Sequence, residues 1–180
     1  DLRTGELLED RLEGIFYGAV WAGEEFIFYT TVDDAWRPDT VWRHRVGTPQ
    51  SEDVVVMREE DGRFGLGIGT TRSDKYLMIV SGSKTTSEAW VLNQEDPTGP
   101  FRCLWERETG VDYDVDHAVV GGTDYWVVTH NVTGPNFELG YCAVSDELPA
   151  LRELTVLMPH DDSVRIEGVC LLYTSPSPRD

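Results

Sequence analysis

Three short runs, Phe26–Thr31, Tyr76–Val80 and Tyr125–Thr129, are apolar on both faces and recur at a spacing of about 50 residues. No other feature limits the fold as strongly. A run that alternates apolar and polar residues makes a strand with one wet face, whereas a run apolar throughout makes a strand covered on both sides. Each run sits among further strand candidates separated by turn residues. The first round reads Ile15–Trp21, Phe26–Thr31, Val41–Val46 and Val54–Arg58. The second reads Phe64–Thr70, Tyr76–Val80, Glu88–Leu92 and Phe101–Trp105. The third reads Tyr113–Val120, Tyr125–Thr129, Asn136–Val144 and Leu154–Met158, and Val164–Val169 reads as the opening strand of a fourth. Four short antiparallel strands per round, with no helices, predict an all-β fold: a partial β-propeller of about three and a half four-stranded blades. Neighbouring blades cover the middle strands of a blade on both faces, which accounts for the doubly apolar runs. A β-sandwich also uses short strands, but it does not require this repetition.

The stretch Phe26–Gly47 shows the pattern at its clearest. Its loop, DDAWRPD, breaks any helix and favours a turn. Beyond it, Trp42, His44 and Val46 share one face of a strand, and Val41, Arg43 and Arg45 the other. Asp33, Asp34, Trp36, Arg37 and Asp39 read as a turn held by Asx hydrogen bonds. Their functional alternative is contact with a partner domain or a cationic ligand.

Charge narrows the partners. The net charge is −18 over 180 residues, which argues against nucleic acid and against anionic membrane surfaces. A solvated acidic surface is the plain reading, and cationic ligands are compatible with it. The fifteen basic residues are all Arg except Lys75 and Lys84, a bias ascribed to GC-rich coding. Cys103, Cys142 and Cys170 are few, odd in number and without CxxC spacing, so neither a disulfide framework nor a zinc site is expected. A cytoplasmic location fits that usage. No apolar run is long enough for a membrane-spanning helix. The chain opens on Asp1 rather than Met and in mid-pattern, and is read as a fragment.

The candidate chemistry is sparse. No GxSxG elbow occurs. Ser81-Gly82-Ser83-Lys84 matches SxxK in letters, but it follows a strand and sits in a hairpin, not at the helix start that such a motif needs. Gly65, Gly67 and Gly69 open no helix and cannot cradle a phosphate, so they read as close backbone packing. Asp112, Asp114 and Asp116 alternate before His117 and would line one face of a strand. A cation site and an acidic channel wall are both open there, with the channel wall preferred because the calcium-loop Gly and distal Glu are missing. His44, His117, His130 and His160 have no metal-ligand spacing and read as ordinary core or surface histidines. Asn131-Val132-Thr133 is a glycosylation sequon in letters only. No catalytic, cofactor-binding or metal-binding residue is assigned, and no cofactor is expected.

Longer stretches carry a family resemblance. FYTTVDDAWRPDTVWRHRVGTPQSEDVVVMREED, TTRSDKYLMIVSGSKTTSEAWVLNQEDP, GVDYDVDHAVVGG and NVTGPNFELG resemble the N-terminal propeller of the oligopeptidase B (protease II) group within the prolyl oligopeptidase family of serine peptidases. The resemblance covers roughly residues 1–169 and ends near SVRIEGV. It implies a seven-bladed propeller capping an α/β-hydrolase domain, with the propeller restricting access to short peptides. It further implies a Ser-Asp-His triad and selection for Arg or Lys in that second domain, which would be the missing partner of this chain. Short cationic peptides would be substrates of the whole enzyme, and the fragment alone is expected to be inactive. Gly65 departs from the bulky residue expected in that strand.

Residues 1–169 are accordingly read as a partial propeller and 170–180 as a separate tail. CLLYTSPSPRD, Cys170–Asp180, fits no propeller pattern and resembles read-through of a sequencing-library adapter, so it is read as non-native. The competing function is a stand-alone propeller that binds proteins. A propeller segment that cannot close is expected to expose apolar faces and edges and to be poorly soluble.

Overall fold

The computed structural model describes residues 3–172; Asp1, Leu2 and residues 173–180, most of the tail Cys170–Asp180, lie outside the described residues. Among the described residues, twelve strands form three four-stranded antiparallel sheets. The first holds β1 (Ala19–Ala22), β2 (Phe26–Val32), β3 (Pro38–Arg45) and β4 (Val54–Arg58). The second holds β5 (Gly65–Thr70), β6 (Tyr76–Gly82), β7 (Ser87–Asn93) and β8 (Arg102–Cys103). The third holds β9 (Tyr113–Val120), β10 (Thr123–His130), β11 (Glu138–Ala143) and β12 (Thr155–Met158). Strand order follows chain order in every sheet, the meander of a propeller blade. The fold is therefore a partial β-propeller, and each doubly apolar run forms the second strand of its sheet.

The first two sheets and their connections make one compact unit, residues 1–111, and the third sheet lies in a second unit, residues 112–180. In the first unit, Phe28 and Val41 from one sheet pack with Leu66, Leu77 and Ile79 from the next, all buried. Phe28 meets Phe101 edge-on at 6.0 Å. Burial of such side chains contributes roughly 1.5–3 kcal/mol each, enough to fix which strands face each other. In the second unit Trp126 and Val128 on β10 are fully buried, with Tyr113 and Val115 on β9 beside them.

Several boundaries differ from the sequence reading. β3 begins at Pro38, three residues early, because a register shift between Thr31 and Val32 brings Pro38 opposite Val32. β8 keeps only two residues of Phe101–Trp105. The segment Val164–Val169 does not form the expected strand: its ordered pairing is an isolated bridge between Asp161 and Val164 and one bond from Ile166 N to Asn136 O. A strand needs a hydrogen-bonded neighbour along its length, and here the backbone pairing is confined to Val164 and Ile166. Close packing at Gly65, Gly67 and Gly69 holds chiefly at Gly65, where a Cβ would lie 3.5 Å from Pro38 Cγ; at Gly69 the space is open. Pro38 thus occupies the room that a bulky residue at 65 would need.

Candidate functional site

Among the described residues β9 is an edge strand, paired with β10. Tyr113, Val115 and His117 point into the sheet's buried face, so the two-residue period turns Asp114 and Asp116 outward, with Asp112 continuing the row. The predicted acidic face is thus formed. Asp114 Oδ1 accepts Val115 N at 3.0 Å and Asp116 Oδ1 accepts His117 N at 2.7 Å. Asp112 N donates to Asn131 Oδ1 at 2.9 Å, which ties down the sequon asparagine. Desolvation, and then the charges of Asp116 and Asp112, raise the Asp114 carboxyl above its ordinary pKa.

Beside this row lies a cavity of about 370 Å³, lined by Asp112, Asp114 and Glu167, with Thr129, Phe137 and Arg165 on its other walls. Arg165 stacks over the Phe137 ring at 5.0 Å and donates to Pro135 O at 3.4 Å. Three carboxylates against one guanidinium leave the wall acidic. Such a wall attracts and orients cationic side chains; it breaks no bonds. Among the described residues no cluster of three or more His, Cys, Asp or Glu has the geometry of a metal site.

Among the described residues, neither Ser81 nor Cys103 nor Cys142 is set up as an activated nucleophile. Ser81, first in the SxxK letters, lies in β6 and donates to Glu59 Oε2 at 2.6 Å. Burial pushes the Glu59 pKa up, but Arg107, Ser81 and the Asp61 amide outweigh it and hold the group below its ordinary value, which makes it a poor base. Lys84 is exposed in the hairpin loop. Burial, then the charges of Glu88 and Glu106, push the Cys103 thiol up to about 12, and burial raises Cys142, so neither forms a thiolate readily.

The polar loop 33–39 is a turn, as expected. Asp33 Oδ1 accepts from Ala35 N and Arg37 N, and Asp33 Oδ2 accepts from Arg37 Nε at 2.9 Å. Arg37 Nη1 then donates to the carbonyls of Glu59 and Phe64 at 3.0 and 2.9 Å, joining the loop to the connection between the first two sheets. Trp36 stands 75% exposed at φ 61°, a conformation that side chains seldom adopt.

His44, His117 and His130 are fully buried, and His160 is largely so. Two arrangements escaped the sequence reading. His44 lies between Asp10 and Asp53, and Glu59 and Glu88 share Arg107. Their members are separated by up to 48 residues, so no local spacing announces them. The one available signal was His44 on the apolar face of an alternating strand, where a polar group must find a partner.

Residues 1–174 match the family described as prolyl oligopeptidase, N-terminal beta-propeller domain. Protease 2 of Moraxella lacunata is 36% identical over 93% of this chain and 25% of its own length. Dipeptidyl aminopeptidase BI of Pseudoxanthomonas mexicana is 33% identical over 93% of this chain and 23% of its own. Among solved structures, oligopeptidase B from Trypanosoma brucei with covalently bound antipain, closed form, superposes with a TM-score of 0.80 at 35% identity, covering 92% of this chain and 23% of that one. Oligopeptidase B from Leishmania major gives 0.76 at 29% identity over 87% and 22%. The chain spans about a quarter of the length of these relatives.

Proposed function

The chain belongs to the prolyl oligopeptidase family, as part of its N-terminal β-propeller, and on that footing we propose that it is the access-gating cap of a serine-type oligopeptidase cleaving short peptides after Arg or Lys. The observation that carries this reading is the match over residues 1–174, together with the 36% identity to Protease 2. The acidic row of Asp112, Asp114 and Asp116 supports it physically. A carboxylate-lined wall raises the local concentration of cationic peptides and speeds their approach. The bonds would be broken elsewhere, by a Ser-His-Asp arrangement on a second domain. The free cysteines fit a cytoplasmic enzyme.

The likeness to a dipeptidyl aminopeptidase at 33% identity favours a second reading, in which the same cap serves an enzyme that removes dipeptides from an amino terminus. One experiment separates the two. The uninterrupted gene is expressed and assayed on amino-terminally blocked Arg and Lys peptides and on unblocked peptides. Cleavage of blocked peptides after Arg or Lys supports the endopeptidase; release of dipeptides from free amino termini alone supports the other. An uninterrupted gene that stops after the last blade, with no GxSxG elbow, overturns both in favour of a stand-alone binding module.

A further inference from the structure

Residues 3–14 carry no strand or helix, yet they are held to the first sheet at defined points. Asp10 Oδ1 accepts from Gly47 N and lies 3.0 Å from His44 Nε2. Glu13 exchanges two bonds with the Gln50 side chain, each 3.0 Å. On its other side His44 presents Nδ1 to Asp53 Oδ1 at 2.7 Å, and Asp53 Oδ2 accepts from Tyr29 Oη at 2.6 Å. The imidazole is fully buried between two carboxylates that come from opposite ends of the arrangement.

We propose that residues 3–14 form a pH-sensitive strap, fastened to the first sheet while imidazolium His44 bridges Asp10 and Asp53 and loosened when His44 gives up its proton.

The geometry decides which bond breaks. An imidazolium donates from both nitrogens, whereas neutral imidazole donates from one. The Asp53 side chain is 1% exposed and cannot turn to water, while that of Asp10 is 13% exposed and sits on a segment without secondary structure. The remaining proton therefore stays on Nδ1, facing Asp53. The lone pair of Nε2 then faces the Asp10 carboxylate, and a bond becomes a repulsion. Asp10 leaves, taking the Gly47 bond with it.

The titratable groups facing His44 are Asp10 from the strap, Asp53 from the turn before β4 and, behind Asp53, Tyr29 from β2. Burial, and then its bond to Asp53, push Tyr29 up to about 12, so it keeps its proton throughout. Arg43 and Arg45, beside His44 on β3, turn to the other face; Arg43 donates to Pro97 O and Arg45 pairs with Glu25. Burial opposes the charge on His44, but the bonds to Asp53 and Asp10 outweigh it and raise its pKa above the ordinary histidine value. A raised pKa means that the added stability is complete below the unfolded value and is lost as pH rises through the folded one. The Gly47 and His44 bonds hold the Asp10 carboxyl below its ordinary pKa, so the strap also loosens in acid, as pH falls through the folded Asp10 value.

Tryptic cleavage after Arg11, whose side chain is 84% exposed, reads the strap directly in the 180-residue chain. Rates are taken from about pH 6 to about pH 10 and divided by those of a free peptide with the sequence of residues 3–16. Protection should fall progressively as pH rises from the ordinary histidine range through the His44 midpoint, and level off above it. In Asp10→Asn the protection at the acid end should drop and the pH dependence should flatten. A constant protection ratio in the parent chain, or an unchanged profile in a folded Asp10→Asn chain, overturns the proposal. Should that variant unfold, NMR of the parent chain decides: the Gly47 amide shift must move with the His44 ring midpoint, and a Gly47 shift indifferent to it overturns the strap.

Discussion

Arg107 holds Glu88 twice: its Nη2 meets Oε1 at 2.7 Å, and its backbone N donates to Oε2 at 3.1 Å. The same Nη2 reaches Glu59 Oε2, and the guanidinium lies 4.1 Å over the Phe64 ring. Glu59 follows β4, Glu88 lies in β7 and Phe64 immediately precedes β5, so one cation fastens the two sheets of the first unit. Arg107→Met keeps the stem but strands two carboxylates that are each 7% exposed. It should destabilise the first unit by about 2–4 kcal/mol near neutral pH, below the full cost of breaking a buried pair because solvent reaches Arg107. Acid should narrow the gap. Glu59, with its folded pKa held low, contributes stability above its ordinary value that is lost as pH falls through the folded one, whereas in the variant the Glu59 carboxyl, buried without its cation, protonates at higher pH. Urea denaturation of both chains at neutral and mildly acidic pH checks this; a variant as stable as its parent at neutral pH refutes it.

Two buried histidines should titrate in opposite directions. His44 sits between carboxylates and is raised. Both ring nitrogens of His130 have no hydrogen-bond partner among the described residues, and Glu138 stays 3.8 Å away. Burial therefore lowers the His130 pKa, only partly offset by the Glu138 charge. A lowered histidine favours folding above its unfolded pKa and opposes it as pH falls below that value. NMR titration of the imidazole rings should place His44 above about 6.5 and His130 below it. The reverse order would show that the buried carboxylates do not govern these rings.

The legibility of this chain follows from the range of its interactions. Phe26–Thr31 could be read because burial on both faces leaves a contiguous apolar run, and Asp33 and Arg37 because an Asx turn is local chemistry. Asp114 and Asp116 followed from the strand period alone. Val164–Val169 was misread because its apolar pattern is local while the pairing that makes a strand is not. Asp10 and His44 stood apart on the page: 34 residues separate them, and a lone Asp in an irregular segment carries no mark of its partner.

Under the proposed function, the acidic row yields a kinetic prediction for the full-length protein. Replacing Asp112, Asp114 and Asp116 together by Asn removes three charges while keeping size. The value of kcat/KM for Arg or Lys peptides should fall several-fold at low ionic strength, mainly through KM, and the difference should shrink as the Debye length drops to about 3 Å near 1 M salt. Steady-state kinetics at two salt concentrations check it. A loss indifferent to salt would point to packing rather than to steering.

The last strand exposes what a continuing fold would cover. Every residue of β12 is exposed, with Val156 at 47%, Leu157 at 56% and Met158 at 51%. Leu157 also borders an apolar hollow of about 260 Å³ with Ala118, Val120, Tyr125, Val127 and Tyr141. An unpaired apolar edge templates pairing with another chain. The isolated 180-residue chain should therefore self-associate as its concentration rises. Leu157→Lys puts a charge in the middle of that surface and should lower light scattering without changing the β-sheet circular dichroism. A parent chain that purifies as a monomer and melts in one sharp transition would show that the exposed sheet tolerates water, and would remove the physical case for a covering neighbour.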